Sequence, residues 1–174
     1  AFMILVDEGK VSLDDPISKF LPEFTTQLVE VEKTENRVVL EKPHRPVTVR
    51  DILSHTAGFP FKSALEVPTL DQLPLAARVR SYAMTPLESQ PGTKYRYSNA
   101  GINTAARIIE VITNSSFESF LQERVFAPLE MNDTTFWPGE EQVERIALSY
   151  KPGPNKKGLE SLEIEQLRYP LPDR

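Results

Sequence analysis

Pro91-Gly92-Thr93-Lys94-Tyr95-Arg96-Tyr97-Ser98-Asn99-Ala100-Gly101 leads into a run in which Ile102, Ala105, Ala106, Ile108, Ile109 and Ile112 recur at helical spacing. The run predicts an amphipathic helix ending near Asn114, and Pro91-Gly92 predicts a loop before it. This sets the polar side chains of the loop on the N-terminal end of the helix, where unsatisfied N–H groups and aligned peptide dipoles favour negative charge. A phenol held there beside a cation is favoured in its charged form and can accept a proton well below its usual pKa of about 10. An asparagine in the same place offers both a donor and an acceptor to an amide. Tyr97 and Asn99 are therefore candidate functional residues. The blander reading is a core tyrosine satisfied by Asn99 or by the helix end.

Outward from this stretch, Thr48 with Asp51 three residues on reads as a shortened capping box, and Ile52 and Leu53 supply the buried side of a helix that Gly58 and Pro60 end. Leu73, Ala76, Ala77, Val79 and Tyr82 predict a helix between Thr69 and Met84 with Pro74 in its first turn. Ser115 or Ser116 caps a further helix through Phe117, Phe120, Leu121 and Val125, which Pro128 closes. Leu28 to Val31 and Val38 to Leu40 flank a polar segment and predict a β-hairpin. Between Val11 and Phe24 a turn and short helix are expected, with Asp14 or Asp15 as cap and Pro16 at the first helical position. Ala1 to Glu8 reads as the last turns of a helix ending at Gly9, and Thr134 to Trp137 as extended. Residues 1–150 form the organised part; from Lys151 the Pro- and Gly-rich residues 151–174 read as a loop or excursion.

The length of 174 residues fits one domain, and 40 % hydrophobic with 26 % charged residues is a globular composition. Twenty basic residues against 25 acidic ones give a net charge of −5, with the basic residues scattered, which disfavours a surface that tracks nucleic-acid phosphates. There is no cysteine, so disulfides, thiolate metal sites and cysteine nucleophiles are excluded within these 174 residues. The longest apolar run, Ala1 to Val6, falls far short of the roughly 20 residues of a membrane span. His44 and His55 are the only histidines, and neither stands at a metal-ligand spacing. His44 sits among prolines as a solvated turn residue, and His55, before Gly58, reads as a capping or loop-bracing residue. No G-x-S-x-G elbow and no glycine-rich phosphate loop occur.

Four blocks carry a resemblance: Leu5-Val6-Asp7-Glu8-Gly9-Lys10 with Leu13-Asp14-Asp15-Pro16 and Leu21-Pro22-Glu23-Phe24; Val47-Thr48-Val49-Arg50-Asp51-Ile52-Leu53-Ser54-His55-Thr56-Ala57-Gly58; Pro91-Gly92 through Tyr97-Ser98-Asn99-Ala100-Gly101; and Phe126-Ala127-Pro128-Leu129-Glu130-Met131-Asn132-Asp133-Thr134-Thr135-Phe136. In order and spacing, from the first residue to about Tyr150, they resemble the serine β-lactamase-like hydrolases, which include class C β-lactamases, penicillin-binding proteins and related esterases. The resemblance implies an α+β, β-lactamase/transpeptidase-like fold, of which this chain is mostly the helical subdomain with a minor β-hairpin. It also implies that Tyr97 is the general base or proton relay for an acylated serine and that Asn99 holds the substrate's amide or carbonyl group. Ser98, the variable middle position, receives no role.

The family's Ser-x-x-Lys and its Lys-Thr-Gly or His-x-Gly motif are absent: no serine is followed by lysine at the third position, and Lys33-Thr34 continues to Glu35. The resemblance places the first shortly before Ala1 and the second beyond Arg174, so the chain alone is expected to be inactive, because acyl transfer needs nucleophile, base and oxyanion site together. The implied function is part of a serine hydrolase that cleaves a β-lactam, D-amino-acid peptide or carboxylic ester, with no cofactor and no metal. A non-catalytic binding module of the same fold is the alternative. Phe59, Phe61, Tyr95 and Trp137 are candidates to line a cleft, most of them expected to be packing residues. Expected partners are the small-molecule amide or ester and, through helix faces left uncovered, further copies of the chain; nucleic acid is not among them. Members of the family are often exported, which makes a periplasmic or secreted location an expectation.

Overall fold

The structure, a computed structural model, describes residues 1–66, 70 and 73–162. Helix α1 (Phe2–Asp7) stops as its sequence suggests. The Lys10 and Gly9 N–H groups donate to the carbonyls of Leu5 and Val6, both at 2.9 Å, with Gly9 in the left-handed region. Residues 13–17 then run against 47–50 through Ile17 N–H to Val47 O, Val49 N–H to Asp15 O and Arg50 N–H to Leu13 O. This pairing corrects one expectation. The helix after Pro16 is a single 3₁₀ turn (Ile17–Lys19) with no side-chain cap, because Pro16 is extended and bridged to Thr48. Asp15 instead accepts from the Ser12 N–H and the Lys19 ammonium, and Asp14 pairs with Arg50.

The predicted hairpin is β1 (Val29–Lys33) and β2 (Val38–Glu41), antiparallel, with Val29 opposite Glu41 and a bulge between Glu30 and Glu32. Leu87 joins it to the later chain, donating to Leu28 O and accepting from the Glu30 N–H, both at 2.8 Å. Helix α2 (Val49–Leu53) carries the full Thr48–Asp51 capping box. Helix α3 (Leu75–Ala83) begins after Pro74, which stands at the cap position rather than in the first turn, and the expected start at Thr69 lies outside the described residues.

Helix α4 (Asn99–Thr113) is the centre of the fold and packs against α1, α2, α3 and α5 (Phe117–Leu121). Its Ile108 and Ile109 are buried with Leu5, Ile52, Val79 and Tyr82, each such side chain contributing about 1.5–3 kcal/mol by leaving water. Ile102, counted in the buried stripe by its spacing, is exposed instead, three residues after Asn99 on the same side of the helix. A Cβ on Gly101 would lie 2.9 Å from the Ile52 carbonyl oxygen, so glycine is what lets α4 touch α2. Asn114, left-handed, ends α4, and Ser116 caps α5, which runs into a wider π turn over Gln122–Phe126.

Beyond α6 (Glu140–Glu144), β3 (Ser149–Pro152) and β4 (Leu159–Leu162) form a second antiparallel hairpin where the sequence reads as a loop. Gly153 and Gly158 bracket its turn, with the Gly153 N–H donating to Gly158 O. Residues 134–137 form no strand and bend at 136–137, where the Thr135 hydroxyl bonds to both backbone groups of Trp137. Residues 163–174 lie outside the described part. Among the described residues no helix is long and apolar enough to cross a membrane.

Candidate active site

The loop between α2 and residue 61 is built on Asp51. This carboxylate, 3 % exposed, takes two bonds from the Arg45 guanidinium (2.6 and 2.8 Å), one from the Thr48 N–H (2.9 Å) and one each from the Thr48 and Thr56 hydroxyls. Burial opposes its ionisation, but the Arg45 and Thr48 donors outweigh that and hold its carboxyl below the usual range. The Thr56 N–H returns to Asp51 O at 2.9 Å, closing α2 in the same way that Lys10 closes α1. In this stop the left-handed position belongs to His55, at φ +57°, where glycine is the usual occupant.

Onto this loop the chain from Glu88 to Ser98 is stitched at intervals. Glu88 N–H donates to Gly58 O (2.7 Å), Gly92 N–H to Thr56 O (2.8 Å) and Arg96 N–H to His55 O (2.8 Å). Ser98 N–H reaches the His55 ring at Nδ1 (3.2 Å), and the Ser98 hydroxyl donates to Pro60 O (2.7 Å) while accepting from the Gly101 N–H as the cap of α4. Ser98, given no role from sequence, thus fixes where the helix begins. A serine in the turn before the apolar run, three residues ahead of the Gly101 N–H it caps, is the signal that marks it.

Tyr97 and Asn99 flank that cap. The Tyr97 ring lies between those of His55 (centroids 4.7 Å apart) and Phe61 (6.1 Å), and Tyr95 meets His55 edge-on at 5.9 Å. Tyr97 is 55 % exposed, and among the described residues nothing hydrogen-bonds its hydroxyl. It is therefore not a core tyrosine satisfied by its neighbours. Asn99, half-buried, likewise has a side-chain amide without a partner among the described residues. The nearest cation in sequence, Arg96, is ion-paired with Glu88. Of the four aromatic candidates, Phe61 and Tyr95 belong to this cluster, whereas Phe59 is buried against Phe24 and Trp137 sits in the bend before α6. His44 is an exposed turn residue. Among the described residues no three His, Asp or Glu side chains are grouped to hold a metal ion. A surface depression of about 550 Å³ between Glu23, Leu40, Arg80 and Met84 shares no residue with the Tyr97 cluster.

The chain belongs to the beta-lactamase family, whose profile matches residues 1–166. Lovastatin esterase from Penicillium rubens is 29 % identical over 144 residues, 76 % of this chain and 35 % of that protein. Penicillin-binding protein 4 from Amycolatopsis lactamdurans is 31 % identical over 148 residues, 85 % of this chain and 35 % of that protein. A mutant of simvastatin synthase from Aspergillus terreus superposes with a TM-score of 0.75 at 25 % identity, covering 96 % of this chain and 41 % of the other. The fold is thus β-lactamase/transpeptidase-like, represented here mostly by helices with two small hairpins. The chain spans about a third of the length of both curated relatives.

Proposed function

We propose that this chain supplies one wall of the acyl-transfer site of a serine hydrolase that cleaves an amide or ester through an acyl-enzyme. The nucleophile belongs to the whole protein, since none of the serines in these 174 residues stands in a Ser-x-x-Lys. Tyr97 takes the proton of the attacking serine as its oxygen bonds to the substrate carbonyl, and passes it toward the departing amine or alcohol. Asn99 bonds the substrate's amide or carbonyl group. The observation that carries this reading is the exposed Tyr97 hydroxyl two residues from the Asn99 amide, both without a hydrogen-bond partner among the described residues, at the helix start that Ser98 caps. Family membership and relatives named as an esterase and a penicillin-binding protein support it. The substrates proposed are β-lactams, D-amino-acid peptides and carboxylic esters.

The test is Tyr97→Phe and Asn99→Ala in the full-length protein with a chromogenic β-lactam, a chromogenic ester and a D-alanyl-D-alanine peptide as substrates. Loss of a general base lowers kcat by about 10²–10⁴ with KM little changed, and Asn99→Ala raises KM. Turnover within twofold of wild type in Tyr97→Phe would overturn the assignment, and no turnover by wild-type protein on any of the three substrate classes would favour a binding module. Self-association of the isolated chain is a companion proposal, based on exposed apolar side chains such as Met84, Leu148 and Leu159; a monodisperse monomer by light scattering would refute it.

A further inference from the structure

We infer that His55 is the positioning residue for Tyr97, holding the phenol toward substrate through a clamp on the Tyr95–Ser98 segment. This rests on the reading of Tyr97 as the proton acceptor. Three observations converge on one side chain. The His55 Nδ1 accepts the Ser98 N–H (3.2 Å), its carbonyl accepts the Arg96 N–H (2.8 Å), and its ring packs on that of Tyr97 at 4.7 Å. The residues on both sides of Tyr97 are therefore bonded to His55, and the Tyr97 ring rests on the same imidazole. Because Nδ1 accepts, the ring proton of neutral His55 is on Nε2. The fourth observation is the backbone. His55 occupies the left-handed position of a helix stop that glycine would fill without strain, and a strained conformation at a site wall is kept where the side chain does something glycine cannot.

The geometry separates what each replacement removes. His55→Gly relieves the backbone and removes both the acceptor and the ring. His55→Asn tolerates the left-handed backbone and puts an amide oxygen near the place of Nδ1. His55→Phe keeps a ring against Tyr97 without an acceptor. In the full-length protein, His55→Gly is expected to lower kcat about 10–100-fold at a KM within twofold, the scale set by a small misplacement of a reacting group. His55→Asn should recover at least a third of the lost factor on a logarithmic scale, and both variants should unfold in the same urea range as wild type. In a Tyr97→Phe background the same His55→Gly change should cost less than threefold, because the group it positions is gone.

Wild-type kcat in His55→Gly, or an equal loss in both backgrounds, would overturn the proposal. Should Tyr97→Phe itself keep full turnover, the proton-acceptor reading fails first, and the clamp is judged without activity. The ¹³C resonance of the Tyr97 ring, followed in tyrosine-labelled protein, should shift or broaden in His55→Gly and return toward wild type in His55→Phe. Unchanged Tyr97 resonances in His55→Gly would overturn the clamp on that measurement alone.

Discussion

Asp51→Ala removes the group on which the α2 corner is built, and the structure sets the size of the effect. The capping box is lost, at about 1 kcal/mol. So are the bonds from Arg45 and Thr48 to a charged acceptor, which contribute about 1.5–3 kcal/mol net. Arg45 is 44 % exposed, so it turns to water when its partner is gone, and the full 3–5 kcal/mol of a broken buried pair does not apply. The expected loss is about 2–4 kcal/mol, or roughly 10 °C in Tm at about 2–4 °C per kcal/mol for a domain of this size. Asp51→Asn, keeping the shape, should lose about half of that. The pH dependence follows from the depressed carboxyl of the folded state. The unfolded chain takes up its proton first, near pH 3.9, so the stabilisation is complete above that value and fades as pH falls through the lower, folded one. Urea unfolding of wild type and Asp51→Asn at about pH 7, 4 and 3 should show the gap unchanged down to about pH 4 and narrowing below it. A loss under about 0.5 kcal/mol for Asp51→Ala at pH 7, or a gap that does not change with pH, would refute the argument.

Gly101→Ala gains about 1 kcal/mol of helix propensity, but its Cβ would stand 2.9 Å from the Ile52 carbonyl oxygen, a backbone atom that yields only if α2 and α4 separate. A net loss of about 1–2 kcal/mol is expected, read as a lowered urea midpoint; a stabilised variant would contradict the packing. Tyr82, buried with its hydroxyl donated to Glu66 and approached by the Asn103 amide, has its phenol pushed well above the usual range, first by burial. In an ultraviolet titration it should stay protonated past the usual tyrosine range, and since its folded pKa is raised, its stabilisation is complete below about pH 10 and lost as pH rises from there through the folded value. Tyr82→Phe should cost about 1–3 kcal/mol by leaving Glu66 short of a donor, and ionisation of all tyrosines together in the native protein would contradict the burial.

Local signals were the legible ones. Thr48 and Asp51 stand three residues apart and cap as that spacing predicts, Gly9 stops α1, and two β-branched runs around a polar turn pair as β1 and β2. Where a local pattern competed with a distant partner, the partner won. Asp14 and Asp15 look like caps, but Pro16 is held extended by Thr48, and the short 3₁₀ turn that follows takes no side-chain cap. Ile102 fits the apolar period of α4, yet it falls on the side that carries Asn99. The β3–β4 hairpin has four-residue strands almost wholly exposed, so no alternation of apolar and polar residues announces it. Tyr97 and Asn99 could be singled out because motif and helix start coincide. The support of Tyr97 by His55 could not, because 43 residues separate Ser98 from the ring that accepts its N–H.

The most direct test of the central claim is acyl-enzyme formation by the full-length protein, followed by intact mass after mixing with a β-lactam and with an activated ester. A covalent adduct on one serine, formed by wild type and slowed about 10²-fold or more in Tyr97→Phe, is the expected result. An adduct that forms equally fast in Tyr97→Phe would contradict the role of the phenol, and the absence of any adduct in wild type would contradict the hydrolase reading itself.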